Sequence, residues 1–357
     1  IAGVVRQAEA AKLDMVFFSD TVAERGNQAL TPQATSFEPT TLLASLAAET
    51  QHIGLVATMT TSYNAPYNVA RRFASLNLLS RGRIGWNVVT TSFLPEALNF
   101  NQRQHLEHAE RYQRAHEFVE VVKGLWSGWQ SDALQFNQPA AQFFDPDKVT
   151  SLNHQGEYFR VRGPLNISNL DYEHPVIVQA GSSGPGKALA AQHAEIVFTV
   201  QSEFAEARAF YRDLKNQVQT AGRAVDSVKI LPGVSFFIGD SESEARERYQ
   251  ELLELIPEKE AVAMLSDQLG GVDFSGHDLS LPLPELPPSN AGQTRRENII
   301  SLAKREQLSL RETALRHAVT AGHPELVGTA TQIADQMEYW FKEQACDGFN
   351  LTPPLLP

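Results

Sequence analysis

Short β-branched runs recur along this chain, each closing on small or polar residues and most followed by a stretch with helical spacing. Met15-Val16-Phe17-Phe18-Ser19-Asp20 is the first; Ile53 to Thr60, Arg83 to Thr91, Val176 to Ala180, Glu195 to Val200, Val228 to Gly239 and Asp347 to Thr352 follow. Helical segments fall at 65–80, 105–129, 184–194, 203–222, 241–256 and 329–345, and Ile1, Val4, Val5, Ala8 and Ala11 give residues 1–13 the same spacing. Alternation of this kind builds a parallel sheet with helical crossovers. Seven strands in a chain that opens on a helix imply an α/β fold of the (β/α)8 TIM-barrel type, with its first strand upstream of residue 1. The rival, an open doubly wound sheet, would carry a glycine-rich dinucleotide turn after its first strand, and none is visible. A single barrel domain over 1–357 is expected, with insertions at about 130–175 and 257–328.

The insertions are where specificity loops would sit. His154 to Pro164 alternates in a way that predicts a small hairpin. The Pro-rich run Leu281 to Pro288 predicts a mobile lid over about 257–295, followed by helices at 297–306 and 309–321.

The net charge of −12 and pI near 5.3 argue against nucleic acid or an anionic membrane surface as partner, because phosphate binding calls for clustered Lys and Arg. A small-molecule ligand is favoured. The single cysteine, Cys346, excludes an intrachain disulfide and a thiolate-cluster zinc site, which suits a reducing cytoplasm. No apolar run is long enough to span a bilayer and no charged-then-apolar leader opens the chain, so a soluble, cytoplasmic protein is expected.

In a barrel the C-terminal ends of the strands converge on one face. Asp20, Thr58 to Ser62, Thr90 to Ser92, Gln179 to Ser183 and Thr199 should then be neighbours. This set is rich in hydroxyls and amides and poor in acids and bases. Hydrolysis needs a carboxylate pair, a nucleophile with its base, or a metal; a bound cofactor would supply the reactivity instead. The hydroxyls of Thr90, Thr91 and Ser92 either bind a polar ligand or cap the next helix. Likewise Gln179-Ala180-Gly181-Ser182-Ser183-Gly184-Pro185-Gly186 is either a phosphate cradle at a helix N-terminus or an ordinary serine-capped turn. His105, His108, Arg111, Tyr112 and His116 share one predicted helix, with His108 and Tyr112 on one face. No partnered carboxylate spacing supports a metal there, and none is expected.

The chain resembles the bacterial luciferase-like flavin monooxygenases, in particular the nitrilotriacetate, dibenzothiophene-sulfone and long-chain alkane monooxygenase group. The resemblance rests on Phe17-Phe18-Ser19-Asp20, Tyr63 through Phe73, Gly82 through Thr91, His108 through Tyr112, Val161 through Asn166, Val178 through Ser183, and Asp347 through Leu351, in order over nearly the whole chain. Asn77, Arg81 and Asn101 depart from the group's usual Asp, Gly and Gly. The resemblance implies a barrel enzyme that takes reduced FMN from a separate NAD(P)H:flavin reductase, reacts it with O2, and transfers one oxygen atom to a small organic substrate. By position in the motifs, Asp20, Thr58 and Thr91 would line the ring and ribityl region, and His108, Tyr112, Ser182 and Ser183 would hold the ribityl chain and phosphate. Phe18, Trp86 and Phe349 are read as core or pocket wall. A homo-oligomer, dimer or tetramer, is expected. Two other readings remain open at this point: a deazaflavin-dependent, hydride-transferring oxidoreductase on the same barrel, and a non-catalytic ligand-binding barrel.

Overall fold

The computed structural model describes residues 1–24, 36–91, 93–168, 172–287 and 293–354. The chain divides into two compact units, the first made of Ile1–Ala23, Ser36–Ala180 and His193–Glu195, the second chiefly of Gly181–Gln192 and Ile196–Pro357.

In the first unit the elements run α1 (Ala2–Ala10), β1 (Met15–Phe18), α2 (Pro39–Glu49), β2 (Gly54–Thr60), α3 (Pro66–Ser80), β3 (Ile84–Val89), α4 (Leu94–Asn99) and α5 (His108–Trp126). Two hairpins follow, β4 (Leu134–Asn137) with β5 (Gln142–Phe144) and β6 (His154–Gln155) with β7 (Arg160–Val161), and then β8 (Val176–Gln179). β1, β2, β3 and β8 pair in parallel in that order. Pro39 and Pro66 open α2 and α3, where their missing N–H costs nothing. The β2–β3 register sets Thr58 opposite Asn87 and Thr60 opposite Val89. Because neighbours in a strand alternate faces, Trp86 points away from Asn87. It is fully buried, its ring lies against Phe73, Phe118 and Trp126, and its Nε1 donates to the Met59 carbonyl. Trp86 is core, as expected.

Arg83, just before β3, is structural too. Its guanidinium donates to the carbonyls of Ala47, Thr50, Ile53 and Ser80, which closes the C-terminal end of α2. The hairpin expected at 154–164 is present as β6 and β7. Glu117 of α5 holds it, accepting hydrogen bonds from the backbone N–H groups of Tyr158 and Phe159 and pairing with His154 Nε2.

The second unit contains α6 (Gly184–His193, whose last residue belongs to the first unit), β9 (Ile196–Thr199), α7 (Phe204–Thr220), β10 (Lys229–Ile238), α8 (Glu242–Leu255) and α9 (Glu258–Gln268). It continues with α10 (Gln293–Arg305), α11 (Leu310–Thr320), β11 (Glu325–Gly328), α12 (Ala330–Lys342) and β12 (Asn350–Leu351). β10 is long enough to pair in parallel with three strands in succession: β9 along 229–232, β12 along 233–234 and β11 along 235–238. Asp347 fixes the end of this arrangement. Its carboxylate accepts from the Ile230 N–H and the Tyr211 hydroxyl and pairs with the buried Lys215 ammonium at 2.9 Å, so the Asp of the Asp347–Leu351 motif is a structural anchor. Burial, reinforced by Asp347, pushes the Tyr211 phenol up to about 12.

The fold class is the expected one, α/β with parallel strands, but α2, α4 and the β4–β5 hairpin lie where the sequence reading placed no element, and two further stretches differ from it. Glu325–Gly328 is a strand where an insertion was expected to run on, and it completes four parallel strands in this unit. The lid expectation also fails over much of its length. Residues 258–268 form α9, and Ala261, Leu265, Leu269 and Phe274 pack with Ile299, Leu310 and Ala314 into a core of their own. Downstream, the Leu279 and Leu281 carbonyls accept from the Arg311 and Leu310 N–H groups, which fastens the Pro-rich run to α11. Residues 288–292, which include the last residue of that run, lie outside the described residues.

Candidate active site

In the first unit the C-terminal ends of β2 and β3 carry a continuous polar ladder. Asn87 Nδ2 donates to Thr58 Oγ1 at 2.9 Å, and one rung higher Thr91 Oγ1 donates to Thr60 Oγ1 at 2.7 Å. Ser62 joins them, its hydroxyl accepting the Thr91 N–H and its own N–H donating to Thr60. All four ladder residues are at least 93% buried. The helix-capping alternative for Thr91 fails, because the N-cap position of α4 is Phe93 and no side chain caps it. Ser92 lies outside the described residues. One atom of the ladder is left over: Asn87 Oδ1 is buried and has no hydrogen-bond partner among the described residues. Such an atom costs free energy unless a ligand or water meets it.

Asp20 sits just past β1, half-buried. Burial first, and then the carboxylates of Glu38 and Glu96, push its pKa up to about 6 against the opposing hydrogen bond from the Thr21 N–H. Glu96, 92% buried on α4, escaped sequence reasoning; it accepts from Thr21 Oγ1 and the Val22 N–H, so it organises the loop that follows Asp20. Its only signal in the sequence was an acid two residues after the start of a short helix.

On α5, His108 is exposed and its ring lies 4.9 Å from that of Tyr112, as one helical turn requires. The other two histidines of this segment have different partners: His105 Nδ1 meets the Tyr63 hydroxyl at 2.6 Å, and His116 Nδ1 meets His193 Nε2 at 3.3 Å. They do not converge on one point.

In the second unit Ser183 stands at the start of α6 and its hydroxyl accepts the Gly186 N–H at 3.2 Å. Capping is therefore real here, yet a hydroxyl that accepts still has its proton to give. Ser182 Oγ lies 3.3 Å from Thr199 Oγ1, which in turn accepts from Gln201 Nε2 at 2.9 Å. A Cβ on Gly186 would come within 3.0 Å of the Gly181 Cα, so glycine is needed for the turn to close this tightly. Close backbone, two hydroxyls and a helix N-terminus make a donor set suited to a phosphate. A cavity of about 640 Å³ between α2 and α3, bordered by Thr41, Arg71, Arg72 and Ser75, contains none of the seven expected residues.

The seven therefore fall in two groups: Asp20, Thr58, Thr91, His108 and Tyr112 in the first unit, Ser182 and Ser183 in the second. A nucleophile hydrogen-bonded to a base is not found among them. The family model described as luciferase-like monooxygenase matches residues 1–347. The chain belongs to that family. Among its relatives are the N-acetyl-S-(2-succino)cysteine monooxygenase of Bacillus subtilis, 47% identical over 99% of this chain and 80% of that protein, and nitrilotriacetate monooxygenase component A of Aminobacter aminovorans, 46% identical over 100% and 81%. A solved riboflavin lyase with modified FMN and riboflavin is 32% identical, with a TM-score of 0.85 over 100% of this chain and 80% of that one. The expected class, the luciferase-like TIM barrel, stands. Among the described residues no helix is long and apolar enough to cross a membrane.

Proposed function

We propose that this chain is the oxygenating component of a two-component flavin monooxygenase, using reduced FMN from a separate NAD(P)H:flavin reductase and O2 to oxygenate a small organic substrate. The observation that carries the reading is the character of the two groups of residues. The first unit offers a buried hydroxyl and amide ladder with one acceptor unfilled among the described residues, the second a phosphate-suited turn, and the seven expected residues include no hydrogen-bonded acid–base pair that could do chemistry unaided. Family membership, a relative named as component A, and a relative solved with modified FMN support the same conclusion.

The residues fit the cofactor. In the second unit Ser182, Ser183 and the α6 N-terminus would take the phosphate; in the first unit Thr58, Thr91 and Asp20 would serve the ribityl chain and ring, and His108 and Tyr112 the ribityl chain. Asn87 Oδ1 offers the acceptor that an N–H or ribityl hydroxyl needs. Reduced flavin, when bound, supplies the activation of dioxygen. The protein's own task is to orient it and exclude water. Below pH 6 Asp20 is protonated and can donate a hydrogen bond; above it, the carboxylate can only accept.

The substrates named for the two relatives are both organic acids with several carboxylates, which points to an organic acid here. A cytoplasmic, homo-oligomeric enzyme, dimer or tetramer, is part of the same reading, and light scattering on the purified protein tests the oligomer. The function is tested by supplying NADH, FMN and a flavin reductase and following oxygenated products of an organic-acid panel by mass spectrometry with 18O2. Incorporation of one labelled atom supports the proposal. Turnover that does not need the reductase or incorporates no label would contradict it.

A further inference from the structure

The first unit holds a second constellation that the flavin reading does not use. Tyr63 follows β2, and its ring stacks on Phe100 at 4.8 Å with the planes 4° apart. Its hydroxyl meets His105 Nδ1 at 2.6 Å. Burial, and secondarily Glu96, holds the Tyr63 phenol above its ordinary value, so it keeps its proton. Nδ1 is the only acceptor that hydroxyl meets among the described residues, and donation from the phenol to it puts the imidazole hydrogen on Nε2. That nitrogen is buried and has no partner among the described residues.

Arg111 stands on α5 one turn before Arg114, whose guanidinium reaches the Thr61 carbonyl two residues ahead of Tyr63, and its Nε is likewise buried without a partner among the described residues. The side chain is half-buried and burial pulls its pKa below the usual arginine range. No described carboxylate lies within ion-pair distance of it; the neighbouring Glu107 is exposed. Glu96 is occupied by Thr21 and Val22. Arg114, the next cation along the helix, is committed to the Thr61 carbonyl and to the Phe159 ring, 4.7 Å away. A desolvated guanidinium with no counter-charge is costly, and a planar fork of N–H donors matches a carboxylate.

We infer that His105 Nε2–H and the Arg111 guanidinium, beside Tyr63 at the C-terminal end of β2, form an oxyanion subsite that binds a carboxylate of the organic substrate. The inference rests on the monooxygenase reading for the word substrate, and deepens it by assigning the substrate's charged end to named residues. Tyr63 is the positioning residue, since it fixes the imidazole tautomer. A phosphate presents the same oxygens, so the test separates the two sources.

Tricarballylate, succinate and the neutral isostere succinamide are titrated into the full-length protein by calorimetry, and FMN and riboflavin are titrated separately. The variants are Arg111→Met, Arg111→Lys and Tyr63→Phe, each checked for folding by circular dichroism. The acids should bind at least roughly tenfold tighter than succinamide, and Arg111→Met should remove roughly ten- to 150-fold of tricarballylate affinity, as expected for a lost charge-assisted hydrogen bond. Arg111→Lys should keep part of it and serves as the working variant if the methionine form does not fold. Tyr63→Phe should weaken the acids and leave succinamide unchanged, a split that a merely structural role would not produce. FMN affinity should stay within about twofold throughout. The inference is overturned if the wild-type protein fails to prefer the acids, if both Arg111 variants keep full acid affinity, or if they weaken FMN while sparing riboflavin, which would make the anion the flavin phosphate. A protein that binds the acids but no FMN would sustain this subsite and sink the functional reading instead.

Discussion

Replacing Ser182 and Ser183 separately should split two roles that the α6 turn combines. Ser183 accepts the Gly186 N–H, so Ser183→Ala loses a helix cap, worth about 1 kcal/mol of stability, as well as any bond to the phosphate. Ser182 has no capping bond. Among the described residues its hydroxyl meets only Thr199, which accepts from Gln201 and still has its own proton to give, so Thr199 can donate to Ser182 and Ser182 donate onward. Ser182→Ala should therefore cost flavin affinity with little cost in stability. A charge-assisted hydrogen bond contributes on the order of 1.5–3 kcal/mol, so the loss should be roughly ten- to 150-fold in Kd for either single variant. The assay is an anaerobic titration with photoreduced FMN, run beside reduced riboflavin, and thermal unfolding of the same samples. Riboflavin has no phosphate and should bind all variants alike. Unchanged FMN affinity in a folded Ser182→Ala protein, or equal losses for FMN and riboflavin, would refute the phosphate assignment.

Asp20→Asn should abolish a pH step. Because burial raises the folded pKa to about 6 from an ordinary 3.8, the wild-type protein binds the extra proton between those values, loses stability as pH rises through that window, and levels off above 6; urea melts at pH 4, 5, 6 and 7 should show the decline in wild type only. Asp347→Ala strands the buried Lys215 ammonium and should cost about 3–5 kcal/mol in chemical denaturation, and Lys215→Met added to it should recover part of the loss; an additive double variant would argue against the pair. Leu265→Ala should cost about 2–5 kcal/mol, because α9 is packed rather than loose, and hydrogen exchange should show its amides protected; exchange as fast as an exposed loop would revive the lid.

Much of the fold was legible because parallel strands covered on both faces leave unbroken β-branched runs; six of the seven runs expected lie close to their observed limits, and the seventh, 347–352, shortens to Asn350–Leu351. β11 was missed because Glu325-Leu326-Val327-Gly328 is only four residues long and follows Pro324, so it reads as loop. α9 was missed for a different reason: the Ala261, Leu265 and Leu269 spacing is helical, but the prolines that follow dominated the reading of the whole stretch. At the site, hydroxyls at strand ends announced Thr58, Thr91, Ser182 and Ser183. Asn87 and Thr60 could be seen as polar, but only the cross-strand register shows that they complete the ladder and leave an acceptor unpaired. Arg83 and Asp347 belong to motifs of the family, yet Arg83 holds mainly backbone carbonyls and Asp347 holds the Ile230 N–H, Tyr211 and Lys215, so a motif alone did not separate scaffold from site. The isolation of Arg111 and His105 Nε2 was invisible, because an unpaired charge is a property of what surrounds it.

Oxygen transfer dependent on reduced flavin is the central claim, and single-turnover mixing tests it most directly. Protein preloaded anaerobically with one equivalent of reduced FMN is mixed with 18O2 and an organic-acid panel, with no reductase present, and product is read by mass spectrometry. One labelled oxygen per product, at a yield limited by the flavin supplied and absent when oxidised FMN is used, is the predicted result. Product formed equally with oxidised FMN, or flavin reoxidised at its free-solution rate with no labelled product from any acid, would contradict the account.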